Sequence, residues 1–304
     1  MTAVLREAEW RARQADHAER LRPFAEDRVG RMARQEKHPV RDFLFEYYSF
    51  RPAHLLRWSP GVGVLLENAR PADLEWGRDF TPSPDGLILT AESFPTHRAS
   101  FAGWALSYLE GIAARPPLFG CFGLHEWAMV YREPHVRHSR TPLRLSPQRI
   151  AAAVESEELC CTHYDAYRFF TPAAAPRNRH ALSREATNEF DQRGCIHVTM
   201  DLYRYAYKVA PWVSGGLLAD AFLLAWESRQ VDMRASPYDL AVYGLTPIPI
   251  ETADGKAEYV ACQRALATKA VPVRARLIEE YRRLLGRGDR IAPRPTSAPG
   301  QRWS

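Results

Sequence analysis

Three histidines of this chain lie inside apolar, aromatic runs, and a carboxylate follows each of them within four residues. The pairs are His125 with Glu126 in FGLHEWAMVY, His163 with Asp165 in CCTHYDAYRFF, and His197 with Asp201 in CIHVTMDLYRYAY. A buried ionisable group costs several kcal/mol unless it pairs with an opposite charge, a metal or a ligand. The fold must therefore bring these groups together, and we expect one shared polar pocket.

A fourth segment, VDMRASPYD, adds further charges to this set. It contains the two acids Asp232 and Asp239, with Arg234 between them. The proline that follows Ser236 restricts that residue to an extended or turn geometry. We expect these charged side chains to contribute to the same pocket.

The spacing of apolar residues predicts a mainly α-helical fold. Phe43, Tyr47 and Phe50 share one helical face, and helical spacing recurs over about 94–132, 147–157, 182–224 and 255–286. Residues 59–92 contain eight Pro or Gly residues, which predicts irregular structure with at most a short hairpin. Apolar residues make up 46% of the chain, which is enough for a substantial core.

Neither an internal repeat nor a sharp change of composition divides the chain. We predict a single compact multi-helix domain over residues 38–286, which carries the catalytic residues and has loops rich in Pro and Gly. Residues 1–37 are predicted to form a peripheral N-terminal helical arm that is interrupted at Pro23. Residues 287–304 have the composition of a disordered tail.

Charge, cysteines and missing motifs narrow the class of protein. The net charge of +5 permits phosphate-rich partners, but no basic strip that would follow a DNA backbone is present. The five cysteines form no CxxC pattern, which indicates reduced thiols and a cytoplasmic location. We expect no membrane span, because no sufficiently long apolar run occurs. The phosphate-loop, dinucleotide-binding and nucleophile-elbow patterns are also missing.

The histidine and carboxylate pairs suit a metal site, because neutral imidazole and carboxylate are ligands of zinc, iron and manganese. His197 and Asp201 share one helix face, and His125 and His163 can approach from neighbouring segments. Three such ligands with an open position would make a catalytic divalent metal site. The ligand patterns of di-iron bundles and zinc proteases are absent. The alternative is that each histidine bonds to its own nearby acid and holds helices together.

The same pocket can also work without a metal. A buried carboxylate with a raised pKa can act as general acid or base, and a histidine can shuttle the proton. The catalytic candidates are Glu126, His163, Asp165, Asp201, Asp232 and Asp239. Neighbouring aromatic and cationic side chains can form a wall for flat or cationic substrates and a clamp for anions, unless the rings are only core packing. These substrate-binding candidates are Trp127, Tyr131, Tyr167, Arg168, Tyr203, Arg234 and Tyr238.

Several segments together resemble an actinobacterial group of proteins labelled 3-methyladenine DNA glycosylase. They are HPVRDFLFEYYSFRPAHLLRWSPGVG, GLHEWAMVYR, CTHYDAYRFFTPAA, GCIHVTMDLYRYAYK and DMRASPYDL, and the resemblance covers most of residues 38–285. It implies removal of alkylated bases from damaged DNA by a carboxylate and an aromatic pocket, with no cofactor. Ser59 to Gly63 is also similar to the hairpin of helix-hairpin-helix glycosylases, in which glycine amides face a DNA phosphate.

Three functions follow from these patterns. The first is N-glycosidic hydrolysis of damaged DNA bases. The second is a metal-dependent oxygenase or hydrolase that acts on a small aromatic or cationic substrate and uses iron, zinc or manganese. The third is a non-catalytic protein whose pocket holds a metabolite. The basic segment 133–146, chiefly Arg137, Arg140 and Arg144, would contribute to DNA affinity in the first case, and no pattern bears on the oligomeric state.

Overall fold

The computed structural model describes residues 3–133 and 141–286, and it confirms the predicted mainly α-helical class. These residues form eleven α-helices and four short strands. The helices are α1 (Glu7–Ala33), α2 (Phe43–Glu46), α3 (Pro52–Leu55), α4 (Ala99–Ala114), α5 (Leu124–Ala128), α6 (Pro147–Glu155), α7 (Tyr164–Tyr167), α8 (Thr187–Phe190), α9 (Ile196–Lys208), α10 (Gly215–Arg234) and α11 (Ala253–Leu284). The strands are β1 (Ala3–Leu5), β2 (Val64–Glu67), β3 (Thr81–Ser83) and β4 (Gly86–Ile88).

Helix α1 is continuous through Pro23, so the predicted interruption at this residue is wrong. Proline removes one backbone hydrogen bond from a helix interior, but the packing of α1 outweighs that loss. Trp10 is fully buried and donates to the Glu67 carbonyl at 2.9 Å, and Leu21 is fully buried as well. Residues of α1 thus belong to the same hydrophobic cluster as the rest of the described chain.

The four strands form one small sheet in the order β1-β2-β4-β3. The expected hairpin is present as the antiparallel pair β3 and β4. Gly86 permits it, because a side chain at this position would lie 1.9 Å from the Leu66 carbonyl oxygen. The parallel pairing of β1 with β2 was not predicted, because a strand of three residues gives no periodic signal.

The helical predictions differ in how well they match the structure. The segments 147–157 and 255–286 correspond to α6 and α11, and the region 94–132 contains α4 and α5. The helical pattern predicted over 182–224 is wrong for residues 182–195, where only the short helix α8 occurs. Loops and short helices thus lie between the long elements, as the Pro and Gly content indicates.

Three long helices form the framework of the site. Helix α9 packs along α10, and α11 packs against both. The amide and hydroxyl of Ser214, at the start of α10, both donate to Glu280 of α11 at 2.6 Å. This contact fixes the beginning of α10, whose other end carries charged side chains into the core.

The segment from Ser59 to Gly63 does not form a helix-hairpin-helix, because strand β2 follows it in place of a second helix. The amide of Gly61 donates to the Ser59 hydroxyl at 3.1 Å, and the amide of Gly63 donates to the Leu89 carbonyl at 2.8 Å. The two glycine amides therefore already have partners inside the protein.

No helix of the described residues has both the length and the apolar character needed to cross a membrane. The predicted disordered tail, residues 287–304, lies outside the described residues, and so do Arg137 and Arg140 of the basic segment. Arg144 of that segment is described, and it forms a two-pronged ion pair with Glu251 at 2.5 and 2.6 Å.

A histidine cluster between a cleft and a thiol-lined cavity

The three predicted histidines meet in the core, and we call His125, His163 and His197 the histidine cluster. His197, in the first turn of α9, lies between the other two rings. Its ring centroid is 4.6 Å from that of His125 and 5.2 Å from that of His163, and the His163 ring is nearly parallel to it. The expectation of a shared pocket is therefore met by the three imidazoles.

His125 is buried and bonds to Asp232 of α10, not to the adjacent Glu126. Its Nε2 donates to Asp232 at 2.7 Å, and its Nδ1 lies 3.4 Å from the Cys121 thiol. Burial lowers the pKa of His125, but Asp232 and Cys121 raise it by more, so the pKa lies well above its ordinary value. Gly123, just before α5, is in a left-handed conformation and packs closely on Ala235, since a side chain there would lie 3.1 Å from it.

Arg229 connects the carboxylates of two helices. Its guanidinium donates to Glu126 of α5 at 2.8 Å and to Asp232 at 2.5 Å, and all three side chains are buried. The same guanidinium lies 3.9 Å from the ring centroid of Phe43. Burial raises the pKa of Asp232, but His125 and Arg229 lower it by more, so this carboxylate stays charged.

His163 precedes α7 and pairs with Asp191, not with the nearby Asp165. Its Nδ1 donates to Asp191 at 3.0 Å, and Tyr108 donates to the other oxygen of that carboxylate. Burial lowers the pKa of His163, but the charge of Asp191 raises it by more, to about 9. His163 is therefore protonated near neutral pH.

His197 differs from the other two, because neither of its ring nitrogens has a hydrogen-bond partner among the described residues. Burial and the charges of His125 and His163 hold its pKa well below the ordinary value, so the ring is neutral. Ligand atoms of His125, His197 and Asp232 all lie within 4.8 Å of one another. Two imidazoles and a carboxylate at this spacing are a set that zinc, iron or manganese can bind.

The sequence-based ligand set is thus only partly brought together. Asp201 lies on α9 with His197, but it accepts a hydrogen bond from Tyr48 at 2.8 Å and lies 3.5 Å from Arg204. Burial raises the pKa of Asp201. It lines a different cavity from His197, so the shared helix face does not converge on one ion. His163 also lies outside the group of His125, His197 and Asp232.

A cleft of about 610 Å³ opens next to this group and reaches His197, Glu126 and Arg229. Of the predicted substrate-binding residues, Tyr238 lines it. Its aromatic walls are otherwise formed by four rings that are not among those substrate-binding candidates, namely Phe43, Tyr47, Phe169 and Tyr243. Flat rings of this kind stack on aromatic groups and attract cations.

Three predicted wall residues belong to the core. Trp127 is fully buried and donates to the Ala235 carbonyl at 2.8 Å, and Tyr203 is fully buried among other rings. Tyr131 is 2% exposed and donates to Glu155 at 2.6 Å. These side chains shape the site from behind and do not line the cleft.

The remaining candidates lie at the edges of the site. Tyr167 packs against Phe170 with ring centroids 5.3 Å apart. Arg234 bonds to Glu258 at 3.1 Å and to the Thr246 carbonyl at 2.8 Å. Asp239 is exposed and accepts the amide of Ala241, so it caps a turn. Arg168 and Asp165 form an ion pair at 2.9 Å beside the cleft.

A second cavity, of about 190 Å³, reaches His125 and His197 along with four thiols, Cys121, Cys160, Cys161 and Cys195. A hydrogen bond from Cys161 and the charge of His125 hold the pKa of Cys121 well below its ordinary value, although burial opposes them. Tyr259 and Gln263 are buried and line this cavity. The Tyr259 hydroxyl and the Gln263 side-chain carbonyl oxygen have no hydrogen-bond partner in the described part of the chain. His197 thus lines both the thiol-lined cavity and the cleft.

Several residues of the site were missed from the sequence. Arg229 had a signal, since it lies three residues before Asp232 on the same face of a helix, where opposite charges can pair. Cys121 lies four residues before His125, which also predicts a contact across one turn. Asp191 gave no signal, because it lies in irregular structure 28 residues from its partner His163.

Comparison with protein-family models, with curated proteins and with solved structures gave no match for this chain. The fold and the site define a mainly α-helical protein with a buried cluster of histidines and carboxylates. Its chemistry is argued from that cluster and from the cavities around it.

Proposed function

We propose that this protein is a metal-dependent enzyme that acts on a small aromatic or cationic substrate. His125, His197 and Asp232 would hold a divalent ion of zinc, iron or manganese, and the cleft would hold the substrate. The observation that carries this proposal is the unpaired, neutral His197 within 4.8 Å of two further ligand atoms.

The neighbouring charges support this assignment. A metal ligand must be deprotonated, and His197 and Asp232 both are. The pKa of His125 is raised, so a bound ion would have to replace the proton that this ring donates to Asp232. Arg229 holds one oxygen of Asp232, while the other oxygen lies towards His125. Such outer contacts orient ligands. A bound ion would supply Lewis acidity or an activated water, which are the chemistry of a hydrolase or an oxygenase.

The cleft supports the choice of substrate. The rings of the cleft can stack on a flat group. Glu126, which follows the proposed ligand His125 directly in the sequence, lies on the wall of the cleft. Because Arg229 already donates to Glu126, the carboxylate is held in one position from which it can bind a cation or accept a proton.

N-glycosidic hydrolysis of alkylated bases in damaged DNA is the second candidate. The aromatic walls of the cleft together with the carboxylates of Glu126 and Asp165 support it, because a cationic base could stack there beside an acid. This reaction needs no metal.

A non-catalytic role as a metabolite-binding protein would use the same cleft and would differ from both enzymes in showing no turnover. A cytoplasmic location is part of the proposal and is supported by five free cysteines.

Metal content distinguishes these functions. Untagged protein, purified without chelator, is analysed by elemental mass spectrometry beside His197→Ala and the exposed-histidine control His97→Ala. We expect about one ion per chain in the wild type and the control and at least about a tenfold loss in His197→Ala, since one of three ligands is removed.

Loss of the ion from both variants, or a wild type that stays metal-free and whose melting temperature does not rise with added zinc, iron(II) or manganese, would overturn the proposal. The metal-free protein would then be assayed for release of free base from alkylated DNA, with Glu126→Gln as the inactive variant.

A further inference from the structure

A basic cavity of about 420 Å³ adjoins the cleft and contains none of the proposed metal ligands. It shares Tyr47 and Asp165 with the cleft, so the two spaces are neighbours and a ligand that spans both would lie across these two side chains. Five basic side chains line this cavity against two carboxylates, Asp165 and Asp201. The basic residues are His163, Arg168, Arg184, Arg204 and Lys208.

The carboxylates neutralise only part of this positive charge. Asp165 pairs with Arg168 at 2.9 Å and with Arg204 at 3.3 Å. Arg184 and Lys208 have no ion-pair partner among the described residues, and Lys208 only lies 5.0 Å from the ring centroid of Phe101. The cavity therefore carries an excess of positive charge.

His163 adds a donor at the inner end of the cavity. Asp191 occupies its Nδ1, and its Nε2 has no hydrogen-bond partner in the described part of the chain. Burial and the charge of Arg204 lower the pKa of Lys208. This direction is the one expected for a lysine that lies near another cation and has no counter-ion. An anion bound here would compensate the charges of both residues.

We propose that the basic cavity binds the phosphate group of a small substrate whose aromatic part lies in the adjoining cleft. A phosphate suits several cations distributed around one space, because its oxygens accept charge-assisted hydrogen bonds in several directions, whereas one arginine can already satisfy a carboxylate. That the ligand is the substrate rests on the metal-dependent activity proposed above, whereas anion binding does not.

The first test is calorimetric titration of untagged, metal-free protein with inorganic phosphate and with phenyl phosphate, at constant ionic strength set by KCl. We expect both to bind, and phenyl phosphate to bind at least about tenfold more tightly, since burial of its ring in the cleft adds to the affinity. Equal affinity for the two probes would overturn the placement of an aromatic part in the cleft.

The second test compares two double variants that each remove two positive charges. Arg184→Gln with Lys208→Gln removes the two unpaired cations of the basic cavity, and Arg13→Gln with Arg78→Gln removes two exposed arginines that do not line it. We expect the first to weaken phosphate binding by at least about tenfold and the second to leave it unchanged. Equal weakening in both would mean that phosphate responds only to net charge, which overturns the proposal.

The source of the phosphate is tested with a short single-stranded DNA. If this oligomer binds more tightly than phenyl phosphate and depends on Arg184 and Lys208, the small-molecule assignment is overturned in favour of nucleic acid. The two proposals can fail separately. Phosphate binding by a protein that takes up no metal would overturn only the metal-dependent activity, and metal binding without phosphate binding would overturn only the basic cavity.

Discussion

Two regions of this protein bury charged groups, and they differ in whether every ionisable side chain in them has a polar partner. The N-terminal ion network consists of Asp27, Arg28, Arg31 and Asp42 and joins α1 to the start of α2. Asp42 is 3% exposed and pairs with Arg28 at 2.8 Å and with Arg31. It also accepts the amide of His38 at 2.8 Å, so both of its oxygens have partners.

The histidine cluster is organised differently. Asp232 and Asp191 each have two partners, but His197 has none within the described residues and lies between two cationic rings. Asp42 of the N-terminal ion network also borders the cleft, but its carboxylate already has partners, whereas the unpaired ring of His197 faces both the cleft and the thiol-lined cavity. Buried ionisable groups that all have partners within the protein are accounted for by their contribution to stability. A buried ionisable group that lacks a partner and faces a cavity indicates a binding site for a ligand.

The largest expected effect concerns a property that the two regions share, namely their buried ion pairs. Arg229→Met removes the cation that pairs with Glu126 and Asp232, and it leaves Glu126 buried without a counter-charge. We expect the free energy of unfolding to fall by about 3 to 5 kcal/mol, the usual cost of breaking a buried pair. Urea denaturation at pH 7 measures this loss.

Two variants show whether that loss comes from buried charge. Adding Glu126→Gln to Arg229→Met should restore at least about 1 kcal/mol, because the unpaired carboxylate is removed. Asp42→Asn in the N-terminal ion network should cost less than Arg229→Met, because Arg28 keeps Glu46 at 3.1 Å and Arg31 keeps Asp27 at 3.0 Å. A loss below about 1 kcal/mol in Arg229→Met would contradict the view that the cluster contains buried ion pairs.

The next prediction concerns the alkaline side of neutrality and belongs to the cluster alone. Asp191 raises the pKa of His163 to about 9, above the ordinary 6.5, against the effect of burial. The stabilisation is therefore fully present below pH 6.5 and is lost as the pH rises towards 9. We expect metal-free protein to lose about 3 kcal/mol of unfolding free energy over this range through His163.

His163→Asn is the matched variant, because an amide can still donate to Asp191 but does not titrate. Urea denaturation at pH 6.5, 7.5 and 9 should give a shallower decline for the variant than for the wild type. Parallel declines would show that other groups cause the alkaline loss and that Asp191 does not hold the proton on His163.

The sequence allowed the ionisable groups of the site to be predicted, but not the partners of each. Apolar surroundings marked His125, His163 and His197 as buried, and burial requires a partner. The nearest acid in sequence was the partner of none of the three, because each of these acids has another partner: Glu126 bonds to Arg229, Asp165 to Arg168, and Asp201 to Tyr48. The actual partners lie 107 residues away for His125 and 28 residues away for His163.

The fold was predictable where a segment is long and periodic. Helix α11 has the apolar repeat and the glycine that follows it, and its bounds were predicted within two residues. Helix α1 was divided at Pro23 because local propensity opposes a proline there, and tertiary packing overrides that preference. Strand β1 depends wholly on β2, a contact about 60 residues away that no local pattern can indicate.

The smallest prediction concerns the acid side of neutrality and His38, which lies beside the N-terminal ion network and donates its amide to Asp42. His38 Nδ1 accepts the amides of Val40 and Arg41, each at 3.2 Å, and a protonated ring could not accept either. Burial and the charges of Arg41 and Arg31 lower the pKa of His38 to about 4. Its contribution to stability is therefore complete above pH 6.5 and is lost as the pH falls towards 4.

Because His38 is only half-buried, solvent screening reduces the effect to about 1 kcal/mol of unfolding free energy. His38→Asn keeps a side-chain acceptor for the two amides but has no titrating ring. It should therefore lose less stability than the wild type between pH 6.5 and 4.5. The exposed-histidine control His97→Asn should lose as much as the wild type. If His38→Asn instead flattened the alkaline decline, the assignment of the two pH limbs to two separate regions would be wrong. With the expected result, the protein loses stability in acid through His38, beside the N-terminal ion network, because the pKa of that histidine is lowered. It loses stability in alkali through His163 of the histidine cluster, because the pKa of that histidine is raised.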